Sequence, residues 1–295
     1  TLGHRVGVRL FLKCENLQKT GSFKPRGALN KVLCLTLEER SRGLITVSAG
    51  NHAQAVAWAA RQVGAPCAVV MPVDAPRSKI DAVEGYGAEV ILHPERATLF
   101  DRLHQERETR GATFVHPFDD PVVLAGAGTT GLEIMEEMRD ADMVIVPVGG
   151  GGLMCGVSCA TKALSPRTHV VAVELEAGPG LRPALDAGKP VPVPRPAHTL
   201  ADGMTPPFVG SIPLEAATRF VDEVVAVSEQ EIVDAMRLLI TRAKLYVEGS
   251  GAAATAALLS GRVHPRSDAL VVSIVSGGNV DVDRVCAAFR SGSGD

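Results

Sequence analysis

The hydrophobic pattern of the chain alternates between short runs rich in β-branched residues and longer stretches with helical spacing. The stretch from His52 to Val63, for example, places alanine and valine three and four positions apart, and Gly64 ends it. This alternation is typical of βα units built around parallel sheets. The predicted strands are 8–14, 44–48, 67–71, 89–92, 113–115, 143–148, 169–173, 224–227 and 270–275.

These elements predict an α/β fold of two domains, each with a parallel-type sheet flanked by helices. The four predicted strands between 44 and 115 form a compact βα block, and the segments on either side of the block assemble into a larger sheet. We therefore place a small domain at 37–118 and a large domain at 1–36 and 119–295.

Composition is that of an ordinary globular protein. Of 295 residues, 46% are hydrophobic and 21% charged, so the chain can bury a large core. A net charge of -3 without a long basic run argues against nucleic acid as a partner. No apolar stretch has membrane-spanning length. The six cysteines contain no CxxC pair, which favours a reduced, cytoplasmic compartment.

Lys24 directly precedes Pro25, a residue that can open a helix. At the positive end of a helix dipole, an amine loses its proton more readily. Such an amine can bind a carbonyl compound as a Schiff base, and pyridoxal 5'-phosphate (PLP) is the outstanding carbonyl cofactor. A Lys-Pro pair taken alone more often marks a surface lysine at a helix start.

Four consecutive glycines, Gly149, Gly150, Gly151 and Gly152, follow the predicted strand 143–148 and precede a helical pattern. Glycines in a row let several backbone N–H groups converge on one anion at a helix N-terminus. Tight packing of a strand against a helix would explain one or two glycines but hardly four. The run therefore predicts a phosphate site.

A second glycine-rich run, Gly126-Ala127-Gly128-Thr129-Thr130-Gly131, matches GxGxxG, which is typical of a nicotinamide-binding unit. Its context does not fit, because the next predicted strand ends in glycines and not in the acidic residue that would bind the ribose. We predict a turn with a structural role.

Two further turns follow predicted strands, at the edge of a sheet where α/β proteins bind ligands. Ser48 and Asn51 follow the strand 44–48, and Ser276 follows the strand 270–275. Taken alone, Ser48 and Asn51 read equally well as helix caps, and Ser276 reads better as a turn serine.

Four segments together resemble the fold-type II PLP enzymes, most closely the branch of threonine/serine dehydratases and serine racemases. They are 13–28, 48–54, 147–153 and 276–281, which stand in the family's order and span nearly the whole chain. The resemblance implies a fold like that of the tryptophan synthase β-subunit, PLP as cofactor and an amino-acid substrate. It also places the small domain at the same bounds, and we expect a homodimer or homotetramer.

The resemblance also implies a role for each matching residue. Lys24 would bind the cofactor and act as the catalytic base. The other cofactor contacts would come from Phe23 beside it, from the glycines 149–152 around the phosphate, from Asn51 at the phenolic oxygen, from Ser276 at the pyridine nitrogen and from Glu248 near the ring. Substrate contacts would come from Ser48, Ala49, Asn51 and His52.

Two departures from the family pattern narrow the expected activity. Ala49 stands where serine racemases have a second serine, and alanine has no proton to deliver to the far face of the substrate. Some relatives bind a divalent cation through a glutamate and an aspartate six positions later. Glu174 and Glu176 are followed at that distance by Gly180 and Arg182, so we predict no metal site.

The predicted activity is β-elimination from a hydroxy amino acid such as L-threonine or L-serine, giving a 2-oxo acid and ammonia. Biosynthetic relatives continue into a regulatory region after the Ser276 motif, so we expect a catabolic-type enzyme. The alternatives are a lyase for 3-hydroxyaspartate or a diamino acid, a serine racemase, and a non-catalytic protein that binds amino acids.

Overall fold

A computed structural model of the chain describes residues 2–196 and 198–291. The described residues form two compact units. One unit comprises Thr1–Phe23 and Ala127–Asp295, and the other comprises Lys24–Gly126. Each unit contains one sheet whose strands all pair in parallel, with helices beside it. The predicted α/β class is confirmed, and the bounds 37–118 of the small domain stay a prediction.

The unit formed by Lys24–Gly126 has a four-stranded sheet of order β4-β3-β2-β5. Its strands are β2 (Leu44–Val47), β3 (Cys67–Pro72), β4 (Glu89–His93) and β5 (Thr113–Phe114). Its helices are α2 (Lys24–Cys34), α3 (Leu37–Arg42), α4 (Asn51–Gln62), α5 (Arg77–Gly85) and α6 (Leu99–Arg110). Helix α4 buries Ala55, Val56, Ala59 and Ala60 completely, as its helical spacing predicts.

The second unit has a five-stranded sheet of order β1-β9-β6-β7-β8. Its strands are β1 (Arg9–Cys14), β6 (Met143–Pro147), β7 (His169–Leu175), β8 (Glu223–Val227) and β9 (Leu270–Val275). Its helices are α1 (Leu2–Val6), α8 (Gly152–Leu164), α9 (Leu181–Ala187), α10 (Ser211–Phe220), α11 (Glu229–Leu238), α12 (Gly249–Leu259) and α13 (Val282–Ser291). Helix α7 (Pro121–Glu137) runs from one unit into the other.

The central strands are almost wholly apolar because both faces of a parallel sheet are covered. Every residue of β6 and of β9 is buried, whereas the edge strand β1 keeps exposed positions. Helix α12 consists mostly of alanine and other small residues, and its first ten residues are buried. Within the described ranges, no helix is both long enough and apolar enough to cross a bilayer.

The predicted turn at 126–131 is wrong, because these residues lie inside helix α7. The helix begins at Pro121, and Asp120 caps it by accepting the backbone N–H groups of Val122 at 2.9 Å and Val123 at 3.2 Å. The Asp-Pro start signal outweighs the glycine content that follows it.

The glycines of α7 allow neighbouring helices to pack closely on it. A Cβ atom added to Gly126 would lie 2.4 Å from the carbonyl oxygen of Arg26, on α2. A Cβ atom added to Gly131 would lie 2.9 Å from the carbonyl oxygen of Val157, on α8. Two backbones therefore approach α7 at positions where only glycine fits.

Replacing Gly126 with alanine is expected to lower the free energy of unfolding by about 1–3 kcal/mol, since the new methyl group meets backbone atoms that cannot move aside cheaply. Gly85→Ala is the matched control, because a Cβ atom there meets no heavy atom within 4 Å. That change is expected to keep the stability or raise it by up to about 1 kcal/mol. Urea unfolding of both variants measures the difference. Equal midpoints for Gly126→Ala and the parent protein would contradict the packing argument.

Candidate active site

Lys24 is the first residue of helix α2, and Pro25 follows it inside the first turn. Its Nζ donates a hydrogen bond of 2.8 Å to the backbone carbonyl oxygen of Pro117. Burial of the amine lowers the pKa of Lys24 to about 8. A lowered pKa is what the sequence predicts, and burial of the amine is a cause that the prediction did not name.

His52 lies in the first turn of α4 and is buried. Its Nε2 lies 3.0 Å from the backbone carbonyl oxygen of Val115. Because a carbonyl oxygen can only accept, Nε2 carries the proton and donates it. Burial, and next the nearby positive charge of Lys24, lower the pKa of His52 to about 3. The ring is therefore neutral, and its buried Nδ1 is an acceptor without a partner in the described part of the chain.

Residues 115–117, which follow β5, accept the hydrogen bonds of Lys24 and His52 through backbone carbonyl oxygens. His116 shapes the segment, because its Nδ1 accepts the N–H groups of Phe118 at 3.2 Å and Asp119 at 2.9 Å. Its ring also makes edge contacts with two phenylalanine rings, at centroid distances of 5.4 Å and 4.9 Å. Sequence reasoning missed His116 and Pro117, although their position just after a strand at the carboxyl end of a parallel sheet was a usable signal.

The turn between β2 and α4 contains the predicted substrate contacts. The Oγ atom of Ser48 accepts the N–H group of Gly50 at 3.1 Å, which leaves its own O–H available as a donor. Asn51 is the first residue of α4. Ala49 packs beside an apolar cluster and brings no titratable group to the turn. This geometry can hold an anion at the start of α4.

The tetraglycine loop joins β6 to α8, and packing requires glycine at two of its positions. Gly151 has a left-handed φ of 89°, and a Cβ atom there would lie 2.5 Å from the Cβ atom of Pro213. A Cβ atom at Gly149 would lie 2.8 Å from the carbonyl oxygen of Gly203. Within the described residues, the N–H groups of Gly149, Gly150 and Gly151 donate to no protein acceptor. The loop thus presents three unpaired donors beside the N-terminus of a 13-residue helix.

Ser276 and Glu248 are both buried and lie in one hydrogen-bonded neighbourhood. The hydroxyl of Ser276 donates to the carbonyl oxygen of Ser250 at 3.1 Å. The N–H group of Glu248 donates to the carbonyl oxygen of Gly277, the residue after Ser276, at 3.2 Å. The Oγ atom of Ser250 is buried and without a partner in the described ranges. Glu248 and Ser276 thus lie close together, and the expected position of Glu248 near the cofactor ring stays a prediction.

Residues 20–23, just before Lys24, are hydrogen-bonded to residues 276–279. The N–H group of Phe23 donates to the carbonyl oxygen of Ser276 at 3.1 Å. The N–H group of Gly278 donates to the carbonyl oxygen of Gly21 at 2.9 Å, and Nδ2 of Asn279 donates to the carbonyl oxygen of Thr20 at 2.6 Å. The Phe23 ring packs on the apolar cluster around β6 and α8.

The predicted site residues divide between the two compact units. Lys24, Ser48, Ala49, Asn51 and His52 belong to the unit Lys24–Gly126. Phe23, Gly149, Gly150, Gly151, Gly152, Glu248 and Ser276 belong to the other unit. The first set supplies an amine of lowered pKa. The second set supplies a buried hydroxyl group and, for a phosphate, backbone amides that have no acceptor within the described residues. Each set therefore fits part of PLP.

Glu174, one of the two glutamates tested for a metal site, caps a helix. Its carboxylate accepts the N–H groups of Gly180 at 2.8 Å, Leu181 at 2.7 Å and Arg182 at 3.3 Å, at the start of α9. Burial raises the pKa of Glu174, and these hydrogen bonds oppose the rise. Across 2–196 and 198–291, no three His, Cys, Asp or Glu side chains are grouped so that they could hold a metal ion.

Comparison with known proteins places these features in context. A family model described as pyridoxal-phosphate dependent enzyme matches residues 1–277. The chain is 45% identical over 295 residues to the L-threonine ammonia-lyase of Thermotoga maritima, covering 99% of this chain and 72% of that protein. It is 45% identical over 283 residues to the L-threonine dehydratase catabolic TdcB of Escherichia coli K12, covering 95% and 86%. The structure is similar to maize serine racemase, with a TM-score of 0.92, 37% identity and coverage of 98% and 89%.

We expect the rate at which PLP condenses with the protein to fall about tenfold for each pH unit below 8, because only the neutral amine of Lys24 can attack an aldehyde. Rapid mixing of PLP with the cofactor-free protein between about pH 6.5 and about pH 9.5 measures this dependence. The control ligand is pyridoxine 5'-phosphate, an alcohol that cannot condense with an amine. A rate that still rises tenfold per pH unit between about pH 8.5 and about pH 9.5 would contradict the lowered pKa of Lys24.

Proposed function

Since the chain belongs to the family of pyridoxal-phosphate-dependent enzymes, we propose that it is a lyase that converts L-threonine or L-serine to a 2-oxo acid and ammonia. One observation supports the assignment of this reaction to particular residues. The amine of Lys24 is buried, has a pKa of about 8 and donates a hydrogen bond to the carbonyl oxygen of Pro117. An amine with this pKa can give up and take back a proton near neutral pH.

PLP, when bound, draws electrons away from the Cα atom of the amino acid attached to it. The residues that would hold it are Lys24 at the aldehyde, Gly149, Gly150, Gly151 and Gly152 at the phosphate, Asn51 at the phenolic oxygen, and Ser276 at the ring nitrogen, with Phe23 and Glu248 beside the ring. The three amides that have no acceptor within the described residues support the phosphate assignment, since a dianion needs several donors.

Lys24 supplies the proton chemistry of the reaction. Its neutral Nζ accepts the proton from Cα of the substrate, and the protonated Nζ can then donate it to the β-hydroxyl group, which leaves as water. The carbonyl oxygen of Pro117 accepts a hydrogen bond from the amine, which orients Nζ while it is free. His52 stabilises the same segment by donating to Val115, and its neutral ring adds no positive charge beside Lys24.

The substrate carboxylate is assigned to the turn before α4. The free O–H of Ser48 and the backbone at the N-terminus of α4 both favour an anion there. Asn51, Ala49 and His52 line the same turn or the first turn of α4. A carboxylate fixed at this point orients Cα relative to Lys24, so the proton transfer requires no further charged residue.

Ala49 favours elimination over racemisation. A racemase must return a proton to the face of Cα that is opposite to the base, and alanine cannot donate one. Serine racemisation stays the second candidate function because the structure is similar to maize serine racemase at 37% identity. A lyase for 3-hydroxyaspartate would expel the same hydroxyl group from a substrate with a second carboxylate, and a lyase for a diamino acid would expel an amino group; both could use the same residues.

The experiment that tests the function incubates the PLP-loaded protein with L-threonine, L-serine, 3-hydroxyaspartate and 2,3-diaminopropionate. We expect release of the 2-oxo acid and of ammonia in equal amounts from L-threonine or L-serine. Borohydride reduction followed by peptide mapping is expected to place the pyridoxyl group on Lys24. A label on another lysine would overturn the site assignment, and activity with the last two substrates alone would overturn the substrate class.

Ala49→Ser is expected to increase the formation of D-serine from L-serine by up to about 100-fold, the lower range of what a positioned acid contributes, while pyruvate release continues. Chiral chromatography measures D-serine, and a coupled assay measures pyruvate. The control Ala65→Ser makes the same change beyond the far end of α4 and is expected to leave the ratio unchanged. A parent enzyme that makes D-serine as fast as pyruvate would contradict the assignment.

The proposal also includes an amino acid as the small-molecule partner, a cytoplasmic location and a homodimer or homotetramer. The reduced cysteines support the location, since all six are free thiols. Light scattering of the purified holoenzyme would measure the number of subunits.

A further inference from the structure

His116 and Lys24 form hydrogen bonds to opposite sides of one peptide group. That group joins Pro117 to Phe118 and is trans. Its carbonyl oxygen accepts a hydrogen bond from Nζ of Lys24 at 2.8 Å. Its N–H group donates to Nδ1 of His116 at 3.2 Å. Because a trans peptide group is planar, its C=O and N–H bonds point in opposite directions, and fixing the N–H group also fixes the oxygen that Lys24 contacts.

The segment around this peptide group is fixed at both ends. Before it, the carbonyl oxygen of Val115 accepts a hydrogen bond from Nε2 of His52 at 3.0 Å. After it, Asp120 caps helix α7. Between these ends, Nδ1 of His116 also accepts the N–H group of Asp119 at 2.9 Å. The imidazole ring therefore holds the middle of the segment in the way that an asparagine side chain holds an Asx turn.

The ring of His116 has a fixed orientation and a fixed tautomer. It makes edge contacts with the rings of Phe114 and Phe118, at centroid distances of 5.4 Å and 4.9 Å. Since two N–H groups donate to Nδ1, that atom carries no proton, and Nε2 carries the proton of the ring. The nearby ring of His52 is neutral and adds no charge.

The charged groups around His116 leave its ring neutral. Burial lowers the pKa of His116, and the positive charge of Lys24 lowers it further. Asp119 and Asp120 oppose this fall, but Asp120 is paired with Lys31, whose Nζ lies 2.6 Å from its carboxylate. Above the ordinary pKa of a histidine, about 6.5, Nδ1 is therefore free to accept both N–H groups.

We propose that His116 is a positioning residue for Lys24, which directs the carbonyl oxygen of Pro117 toward Nζ through the peptide group that both side chains contact. The inference rests on the proposed role of Lys24 as the base. The directed oxygen stabilises the protonated amine more than the neutral amine, because a hydrogen bond from a charged donor is the stronger one. The hydrogen bond to His116 also polarises the peptide group and strengthens its oxygen as an acceptor. His116 thus favours the state in which Lys24 holds the proton taken from Cα.

The first test separates the acceptor atom of His116 from its aromatic ring. His116→Phe keeps a ring at this position and has no acceptor. His116→Asn loses the ring but carries Oδ1 at the position of Nδ1, so that it can accept the same N–H groups. His104→Phe is the matched control, because His104 is exposed on α6. The rate of PLP condensation with each cofactor-free protein is measured between about pH 6 and about pH 9.5, and borohydride reduction with peptide mapping identifies the lysine that reacts.

We expect a midpoint near pH 8 for the parent protein and a midpoint about one pH unit lower for His116→Phe, because the protonated amine loses its directed acceptor. His116→Asn and His104→Phe are expected to keep the midpoint of the parent protein. An unchanged midpoint in His116→Phe, or an equal shift in His116→Asn, with the label on Lys24 would overturn this inference alone. A label on another lysine of the parent protein would overturn the proposed function together with it.

The second test compares His116→Asn with His116→Gln in the PLP-loaded enzyme, using the amino acid that the parent enzyme accepts best. Glutamine carries its acceptor one bond further from the backbone, at a position that does not match Nδ1. We expect kcat to be about tenfold or more lower in His116→Gln than in His116→Asn, because a misplaced base slows proton transfer. KM is expected to be the same, since the substrate carboxylate is assigned to the turn before α4. Equal kcat values for the two variants would overturn the inference.

Discussion

The backbone contact between residues 20–23 and residues 276–279 is the constraint that fixes the chain up to the residue before Lys24. It ties the chain just before the lysine to the end of the fully buried strand β9, through the N–H group of Phe23 and the carbonyl oxygen of Ser276. The contact requires unusual conformations, since Thr20 and Gly21 have φ values of 56° and 71°. A non-glycine residue in the left-handed region is uncommon, and such strain persists only where neighbouring contacts fix it. Asn279 provides that fixation by donating to the carbonyl oxygen of Thr20.

The polar partners in the candidate site are mostly backbone groups. Lys24 donates to the carbonyl of Pro117, His52 donates to the carbonyl of Val115, and the unpaired donors near α8 are glycine amides. Backbone groups are fixed by the sheet and helices that carry them, so they hold their positions without losing side-chain entropy. They also leave little trace in the sequence, because many residue types can supply the same carbonyl oxygen.

This difference explains what could be predicted from the sequence. Each of the nine predicted strands matches a strand of the described residues to within about two residues, because β-branched runs mark buried parallel strands directly. The helix α7 was missed, since glycines that serve close helix packing look the same in sequence as glycines that form a turn. Lys24 could be proposed from its neighbours in sequence, whereas its hydrogen-bond partner Pro117 could not, because that contact joins residues 93 positions apart. The cause of the low pKa was missed for the same reason, as burial is a property of the folded chain.

The pairing of β1 with β9 has a consequence for the order in which the protein folds on the ribosome. Arg9 pairs with Leu270, so within the described residues the strand β1 has no neighbouring strand until β9 has been synthesised. The four-stranded sheet, by contrast, is complete by residue 114. At synthesis rates of about 5–20 residues per second, roughly 8 to 30 seconds separate the two events. Throughout that interval β1 has no strand to pair with. Its apolar residues and unpaired backbone groups must therefore be kept from pairing with strands of other chains.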